Sequence, residues 1–123
     1  MESEAFRSYR DLRVWQEAVA LAELCYRQTR DFPREELFGL TTQIRRAAVS
    51  IAANIAEGWG RESTGSYVQF LRIAQGSCKE LETHLIIAQR VLDRSADHFE
   101  PLLQQCDTAG KMIRGLIRSL QDT

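Results

Sequence analysis

Strand signals are missing from this sequence, and residues that interrupt helices are few. Among 123 residues there are only two prolines and seven glycines. No run of alternating β-branched residues stands above background, which argues against a β-sheet. Because so few residues punctuate the chain, we expect long helices. The hydrophobic content of 44% suits one globular domain with a single core.

The chain also lacks an excess of either charge. It carries 16 basic and 17 acidic residues, which gives a formal net charge of -1. Nonspecific nucleic-acid binding usually requires a basic field, and the chain as a whole does not supply one. Nearly all of the basic residues are arginine. Arginine suits phosphate and carboxylate groups, but it also forms ordinary ion pairs.

The cysteines are odd in number, and none lies in a CxxC pair. Cys25, Cys78 and Cys106 each fall on the apolar side of a predicted helix. We therefore expect three small core residues in a reducing compartment, with no catalytic thiol among them.

Targeting and membrane segments are absent from the sequence. The first ten residues are charged and contain no apolar stretch of the kind found in signal peptides. The charge-free run at residues 47–56 is too short to span a bilayer. We expect a soluble, cytoplasmic protein with no membrane partner.

Catalytic constellations are missing as well. Four-helix bundles often hold di-iron sites built on Glu-x-x-His pairs, yet neither His84 nor His98 has a glutamate three residues before it. We expect His84 to be a boundary residue with a satisfied imidazole. Glu57 and Glu80 have no nucleophile or oxyanion donor beside them, so we expect them to pair with arginines such as Arg46. The sequence predicts no enzyme, no catalytic residue, no metal and no cofactor.

Apolar residues recur at helical spacing along most of the chain, and this pattern predicts an all-α fold. Residues 1–10 are expected to form an N-terminal tail, and residues 11–121 a single domain. Short connections between long helices favour an antiparallel up-down-up-down four-helix bundle. The predicted helices cover residues 11–30, 33–58, 63–93 and 95–120.

Particular residues are expected to bound these helices. Gly58 is expected to end the second helix as a left-handed C-cap. Ser63 or Thr64 is expected to cap the third helix. Pro101 is expected in the first turn of the fourth helix.

The second helix is apolar over more than half of its circumference. Ile44, Ala48, Ile51 and Ile55 form one face at 100° per residue, and a second apolar flank lies beside it. Such a helix is either the deeply buried centre of a monomer or packs against a neighbouring subunit. We favour the oligomer, because one bundle needs only one apolar stripe per helix. The candidate subunit-interface residues are Phe38, Val49, Ala52, Ala56 and Trp59. The last of these is expected to pack at the helix end, with a stacking platform for a base as the alternative.

A basic stripe runs along the third helix. Arg72, Lys79 and Arg90 lie within about 20° of one another on the helical wheel. The stripe either tracks a phosphate backbone or is a solvated helix face. A ring of subunits would repeat it and multiply weak contacts. Further basic candidates outside the stripe are Arg45, Arg61, Lys111, Arg114 and Arg118.

Several of these residues also carry a family resemblance. The run QIRRAAVSI at residues 43–51, with NIAEG at 54–58 and Arg61, resembles the bacterial four-helix-bundle proteins encoded within intervening sequences of 23S ribosomal RNA genes. FLRIA at 70–74 and ELE at 80–82 agree with the same pattern. The match extends over nearly the whole chain.

The resemblance implies a bundle that assembles as a homopentameric ring. The chain is also similar to the accessory variability protein of diversity-generating retroelements, a pentamer that associates with a reverse transcriptase and binds nucleic acid through basic surface. Those relatives are more basic than this chain. Arg45, Arg46, Arg61 and Arg72 match basic positions of the family pattern. Ala52 replaces a common proline, which implies a straighter second helix.

Together these observations predict a non-enzymatic accessory protein that associates with RNA or DNA as an oligomeric bundle with a basic surface. A protein partner such as a reverse transcriptase is expected beside the nucleic acid. The alternative is an oligomeric protein-protein interaction scaffold without nucleic-acid binding, in which the arginines make subunit salt bridges. The candidate nucleic-acid-binding residues are Arg45, Arg46, Arg61, Arg72, Lys79 and Arg90.

Overall fold

The computed structural model describes residues 7–122, and all of the regular structure in that range is helical. The all-α prediction is therefore confirmed. No helix among these residues is long and apolar enough to cross a membrane. The four long helices are α1 (Arg13–Gln28), α2 (Thr42–Trp59), α3 (Thr64–Val91) and α4 (Ala96–Gln121).

The helices pack in chain order around a common core. Each helix contacts the next one, and α4 closes the arrangement by packing against α1. The α2–α3 pair is antiparallel. Ser50 Oγ lies 2.9 Å from Ser77 Oγ in the middle of the pair, and Gly58 packs against Tyr67 near the connecting turn. Short connections force this direction reversal between neighbouring helices. The result is a four-helix bundle.

One apolar seam from each helix fills the core. The predicted face of α2 is buried, since Ile44, Ala48, Ile51 and Ile55 are all inaccessible to solvent. All three cysteines are free and buried, as predicted. Burying such side chains provides most of the favourable free energy of folding. The largest fully buried side chains are Leu21, Leu71, Leu81, Leu85, Phe99, Leu102 and Ile113.

The chain enters α1 differently from the prediction. Residues 1–6 of the predicted tail lie outside the described residues. Tyr9–Asp11 form a 3-10 turn capped by Ser8, and Leu12 is extended, so α1 begins at Arg13 rather than at residue 11. The Tyr9 ring lies 5.3 Å from the ring of Trp15, which attaches this turn to the bundle.

The prediction that the second helix begins at residue 33 is wrong. Arg34–Glu36 form a 3-10 turn and Leu37–Thr41 a π-type turn, in which Gly39 has non-helical dihedral angles of φ -110° and ψ -111°. Glu36 competes with regular helical pairing, because its carboxylate accepts the Leu40 N–H at 3.3 Å. Phe38 is carried out of the helical register by this turn, and 90% of its surface is exposed.

Gly58 does not end α2 in the predicted left-handed conformation. The helix continues to Trp59, and no glycine among the described residues has a positive φ. A Cβ atom on Gly58 would lie 2.9 Å from Tyr67 Cδ1 and 3.0 Å from Phe70 Cβ. Glycine is therefore needed here because α3 comes close to the backbone of α2.

The remaining helix ends are mostly set by local residues. Ser63 caps α3 as predicted, since its Oγ accepts the Ser66 N–H at 3.1 Å. The helix ends at Val91 rather than near Asp93, because Asp93 adopts a left-handed φ of 53°. Pro101 lies inside α4, beyond the predicted first turn. One backbone donor is lost there.

Candidate nucleic-acid interface

A groove of about 440 Å³ runs between α3 and α4, and we call it the α3–α4 groove. Two glycines, one from each helix, line it and leave room between the helices. Its basic residues come from both walls and its floor contains two thiols. The lining residues are Arg72, Gln75, Gly76, Cys78, Lys79, Glu82, Cys106, Asp107, Gly110, Lys111 and Arg114.

The charges of this groove are only partly balanced. Lys79 Nζ lies 3.3 Å from a Glu82 carboxylate oxygen, and Lys111 Nζ lies 3.1 Å from one of Asp107. Arg72 and Arg114 make no ion pair with any described residue. Exposed pairs such as the two lysine pairs contribute little, so a competing anion exchanges with them at small cost. The groove therefore presents two unpaired guanidinium groups and two weakly held ammonium groups.

Two of the other predicted residues are engaged within the chain. Arg45 Nε donates to Thr29 Oγ1 at 2.9 Å, and its guanidinium lies 4.6 Å from the centre of the Tyr26 ring. Arg61 pairs with a Glu57 carboxylate oxygen at 2.9 Å and lies 4.5 Å from the centre of the Phe70 ring. The two arginines thus tie α1 to α2 and α2 to α3.

The last two predicted residues lie apart from the groove. Arg46 is exposed beside the cleft between α2 and α3, where Glu80 also lies, but the two make no ion pair. Arg90 is exposed on α3, about 16 Å along the helix from Lys79. Of the six predicted residues, the structure therefore brings Arg72 and Lys79 together in the α3–α4 groove, and Arg45 and Arg46 together at a separate pocket beside Val49. The companions of Arg72 and Lys79 across the groove come from the C-terminal basic residues, whose place opposite α3 no local pattern could reveal.

The expected neutralising partners of the acids differ in part from the prediction. Glu57 pairs with Arg61 rather than with Arg46. His84 is partly exposed, as expected of a boundary residue, but its Nε2 has no hydrogen-bond partner among the described residues. The nearest carboxylate oxygen, from Glu80, lies 4.0 Å away. Within residues 7–122, no three His, Cys, Asp or Glu side chains cluster as metal ligands.

A second, apolar groove of about 550 Å³ lies between α1 and α2, and we call it the α1–α2 groove. It contains three of the predicted subunit-interface residues, together with aromatic side chains from α1. Phe38 lies elsewhere, in the π-type turn before α2. Trp59 is partly buried, and its ring packs edge-on against Tyr67 at 6.4 Å. The apolar lining of the groove includes Tyr9, Trp15, Val19, Ala22, Tyr26, Val49, Ala52 and Ala56.

Comparison with known proteins identifies a family, and solved structures share the fold. The family model for the 23S rRNA-intervening sequence protein matches residues 10–115. The fold is similar to the crystal structure of a protein of unknown function from the S23 ribosomal protein family of Bacteroides thetaiotaomicron VPI-5482. The TM-score is 0.75 at 22% identity, over 85% of this chain and 97% of that one. No curated protein matches the sequence.

Proposed function

Since the chain belongs to the 23S rRNA-intervening sequence protein family, we propose that it is a non-enzymatic accessory protein that binds RNA or DNA as an oligomeric bundle. The α3–α4 groove is the proposed contact surface. The protein acts in the cytoplasm and needs no cofactor. Its family and its basic groove support this function.

The observation that carries the proposal is the pairing of Arg72 with Arg114 across one groove. Each guanidinium has five N–H donors and can hold a phosphate with two of them. Neither group is neutralised within the described residues, so both charges are available to a phosphate backbone. Counterion release then supplies the free energy of binding.

Repetition of the groove compensates for the low charge of the chain. With a formal net charge of -1, one chain attracts a polyanion weakly. Subunits linked in a ring bind the same nucleic acid several times, which raises the effective concentration of each groove. We propose the homopentamer that the sequence resemblance implies.

The α1–α2 groove supports self-association. Val49, Ala52 and Ala56 give it an apolar wall, and Val49 is 45% exposed. Charged side chains, from Glu23, Arg27 and Arg30, also line the groove, so it combines an apolar wall with a charged border, as protein interfaces do. We propose that a neighbouring copy of the chain covers it.

The oligomer is tested with the charged variant Val49→Lys. Sedimentation of the wild-type protein should give a mass near five times the 14.1 kDa of one chain, and Val49→Lys should lower that mass. Val91→Lys is the matched control, because Val91 is 62% exposed at the end of α3, away from the groove. Circular dichroism checks that both variants keep their helices. An unchanged mass for Val49→Lys would remove the α1–α2 groove from the interface.

Nucleic-acid binding is tested by fluorescence anisotropy with a labelled RNA hairpin and a DNA duplex over a salt series. The double variant Arg72→Gln with Arg114→Gln should weaken binding. Its slope of log affinity against log salt should fall by about 0.7 per contact for single strands, or about 0.9 for duplex DNA, in each bound chain. Arg13→Gln with Arg34→Gln removes the same charge from exposed positions elsewhere and is the control. Equal weakening by the two double variants would show that net charge, rather than the groove, governs binding.

The alternative is a protein-interaction scaffold, and the outer surface of α3 favours it. Ile73, Ile87 and Val91 are exposed apolar side chains that lie within about 40° of one another around this helix. A protein partner, for example a reverse transcriptase, would cover them. Absence of RNA and DNA binding even at low salt would select this second function.

A further inference from the structure

Cys78 and Cys106 meet where α3 and α4 approach each other. The Cys106 thiol donates to the Cys78 carbonyl oxygen, with a sulfur-to-oxygen distance of 3.3 Å. Both cysteines are free. They are therefore neighbours across the contact between α3 and α4, and both line the α3–α4 groove.

The pair is reachable from solvent through the α3–α4 groove, whose floor it forms. The exposed fractions are 4% for Cys78 and 1% for Cys106. Cys25 differs, because it is fully buried and does not line that groove. Burial raises the pKa of Cys25 to about 12, and the groove gives a reagent no path to this thiol.

The surroundings of the two thiols shift their pKa values in opposite directions. The neighbouring Cys106 side chain lowers the pKa of Cys78, although burial opposes the shift. The Cys78 side chain and burial both raise the pKa of Cys106. The thiolate is the nucleophile in disulfide exchange. Cys78 is also the more exposed of the two, so we assign it the attack on the reagent and Cys106 the second, resolving step.

The walls of the groove favour an anionic reactant. Arg72 and Arg114 are unpaired above the thiols, while the charges of Lys79 and Lys111 are only weakly offset by their carboxylate partners. Cationic clefts raise the local concentration of anions and their rate of encounter. A small disulfide that carries carboxylates fits both the charge and the chemistry.

We propose that Cys78 and Cys106 form a reactive dithiol that small anionic disulfides oxidise to an intramolecular disulfide between α3 and α4. The Cys78 thiolate attacks one sulfur of the reagent, forming a mixed disulfide and expelling one thiolate. Cys106 then loses its proton to solvent and attacks the Cys78 sulfur. This step expels the second thiolate and closes the protein disulfide. The protein loses two electrons and two protons, and the reagent is reduced to two thiol equivalents.

The experiment uses the full chain and the dianionic aromatic disulfide dithiobis(nitrobenzoate). The folded protein should release two coloured thiolates per chain and retain no reagent. Mass spectrometry should show the loss of two hydrogens, and peptide mapping should find Cys78 joined to Cys106. Cys25 should react only after unfolding. A mixed disulfide that persists in the wild-type protein, or reaction only after unfolding, would overturn the proposal.

Single cysteine variants separate the two steps. Cys106→Ser should release one thiolate and keep one reagent group on Cys78, because the resolving thiol is gone. Cys25→Ser is the matched control and should behave as the wild type. If Cys25→Ser released only one thiolate, Cys25 rather than Cys106 would be the resolving group.

A neutral disulfide, dithiodipyridine, tests the role of charge. Arg72→Gln with Arg114→Gln should slow the reaction with the anionic reagent and leave the neutral one unchanged. If the double variant and the wild type reacted with the anionic reagent at equal rates, Arg72 and Arg114 would have no part in the reaction. The dithiol chemistry goes beyond nucleic-acid binding, so failure in either set of measurements leaves the other intact.

Discussion

Replacing Gly58 with alanine tests the close approach of α2 and α3. Two interpretations of this glycine make different predictions. A left-handed C-cap, as the sequence suggests, tolerates asparagine better than alanine. Because the backbone of Gly58 is helical, asparagine has no such advantage over alanine. The size of the side chain is instead limited by the space beside Tyr67 and Phe70.

The magnitude follows from two opposing effects. Alanine at a helical position gains up to about 1 kcal/mol over glycine, and less near a helix end. The added Cβ lies 3.0 Å from Phe70 Cβ and 3.2 Å from the Tyr67 carbonyl oxygen, and neither atom moves unless α3 shifts. Overpacking of this kind typically costs about 1–3 kcal/mol. We expect Gly58→Ala to destabilise the protein by about 1–2 kcal/mol.

Urea unfolding at one fixed protein concentration measures this effect, since oligomer stability depends on concentration. Gly115→Ala is the matched control, because a Cβ there meets no atom within 4 Å. That variant should gain about 1 kcal/mol from helix propensity alone. Gly58→Asn should be at least as unstable as Gly58→Ala, since its side chain is larger.

The relative free energies of unfolding of these variants distinguish the two interpretations of Gly58. A Gly58→Ala protein as stable as Gly115→Ala would refute the close approach of the two helices. Greater stability of Gly58→Asn than of Gly58→Ala would restore the left-handed cap.

Three further predictions concern the core and one surface ion pair. Phe99→Ala should cost about 3–5 kcal/mol in urea unfolding, because the ring is fully buried; a loss below 1 kcal/mol would contradict this. Thr29→Val should cost about 1–3 kcal/mol, since it leaves Nε of the part-buried Arg45 without its acceptor, and Thr29→Ser should recover most of the lost stability. The Arg94 hydrogen bond lowers the pKa of Asp31 below 3.8. The stabilisation of the folded protein by this ion pair is therefore complete above 3.8, the usual pKa of an aspartate, and is lost as pH falls through the lowered pKa of Asp31. In Arg94→Gln the Asp31 pKa should rise, as measured by NMR titration, and an unmoved midpoint would refute the link.

Much of the fold could be predicted because helices have local signals. Apolar residues at three-to-four spacing predicted all four helices, and Ser63 was correctly placed at the start of α3. Boundaries failed where particular side-chain contacts, near or distant in sequence, decide them. The turn at Gly39 depends on how Glu36 meets the backbone of Leu40. Gly58 carries a composition signal for a cap, yet its role is set by residues on another helix.

The candidate site was only half predictable. The helical period places Arg72 and Lys79 on one side of α3, and the structure keeps them together. Arg45 resembles them in sequence, but it is bound by Thr29, which lies sixteen residues away. Nothing local distinguishes an arginine held within the chain from one facing a groove.

The sequence by itself determined the helices, their apolar faces and the single core, because these follow from the repeat of the backbone and the burial of apolar side chains. Only the tertiary structure decided which residues face each other across two helices. It brings Arg114 opposite Arg72 and places the Cys106 thiol against the Cys78 carbonyl oxygen at the base of the same groove. The rotation and offset of α4 against α3 depend on how many side chains fit together at once, and no local spacing encodes that fit.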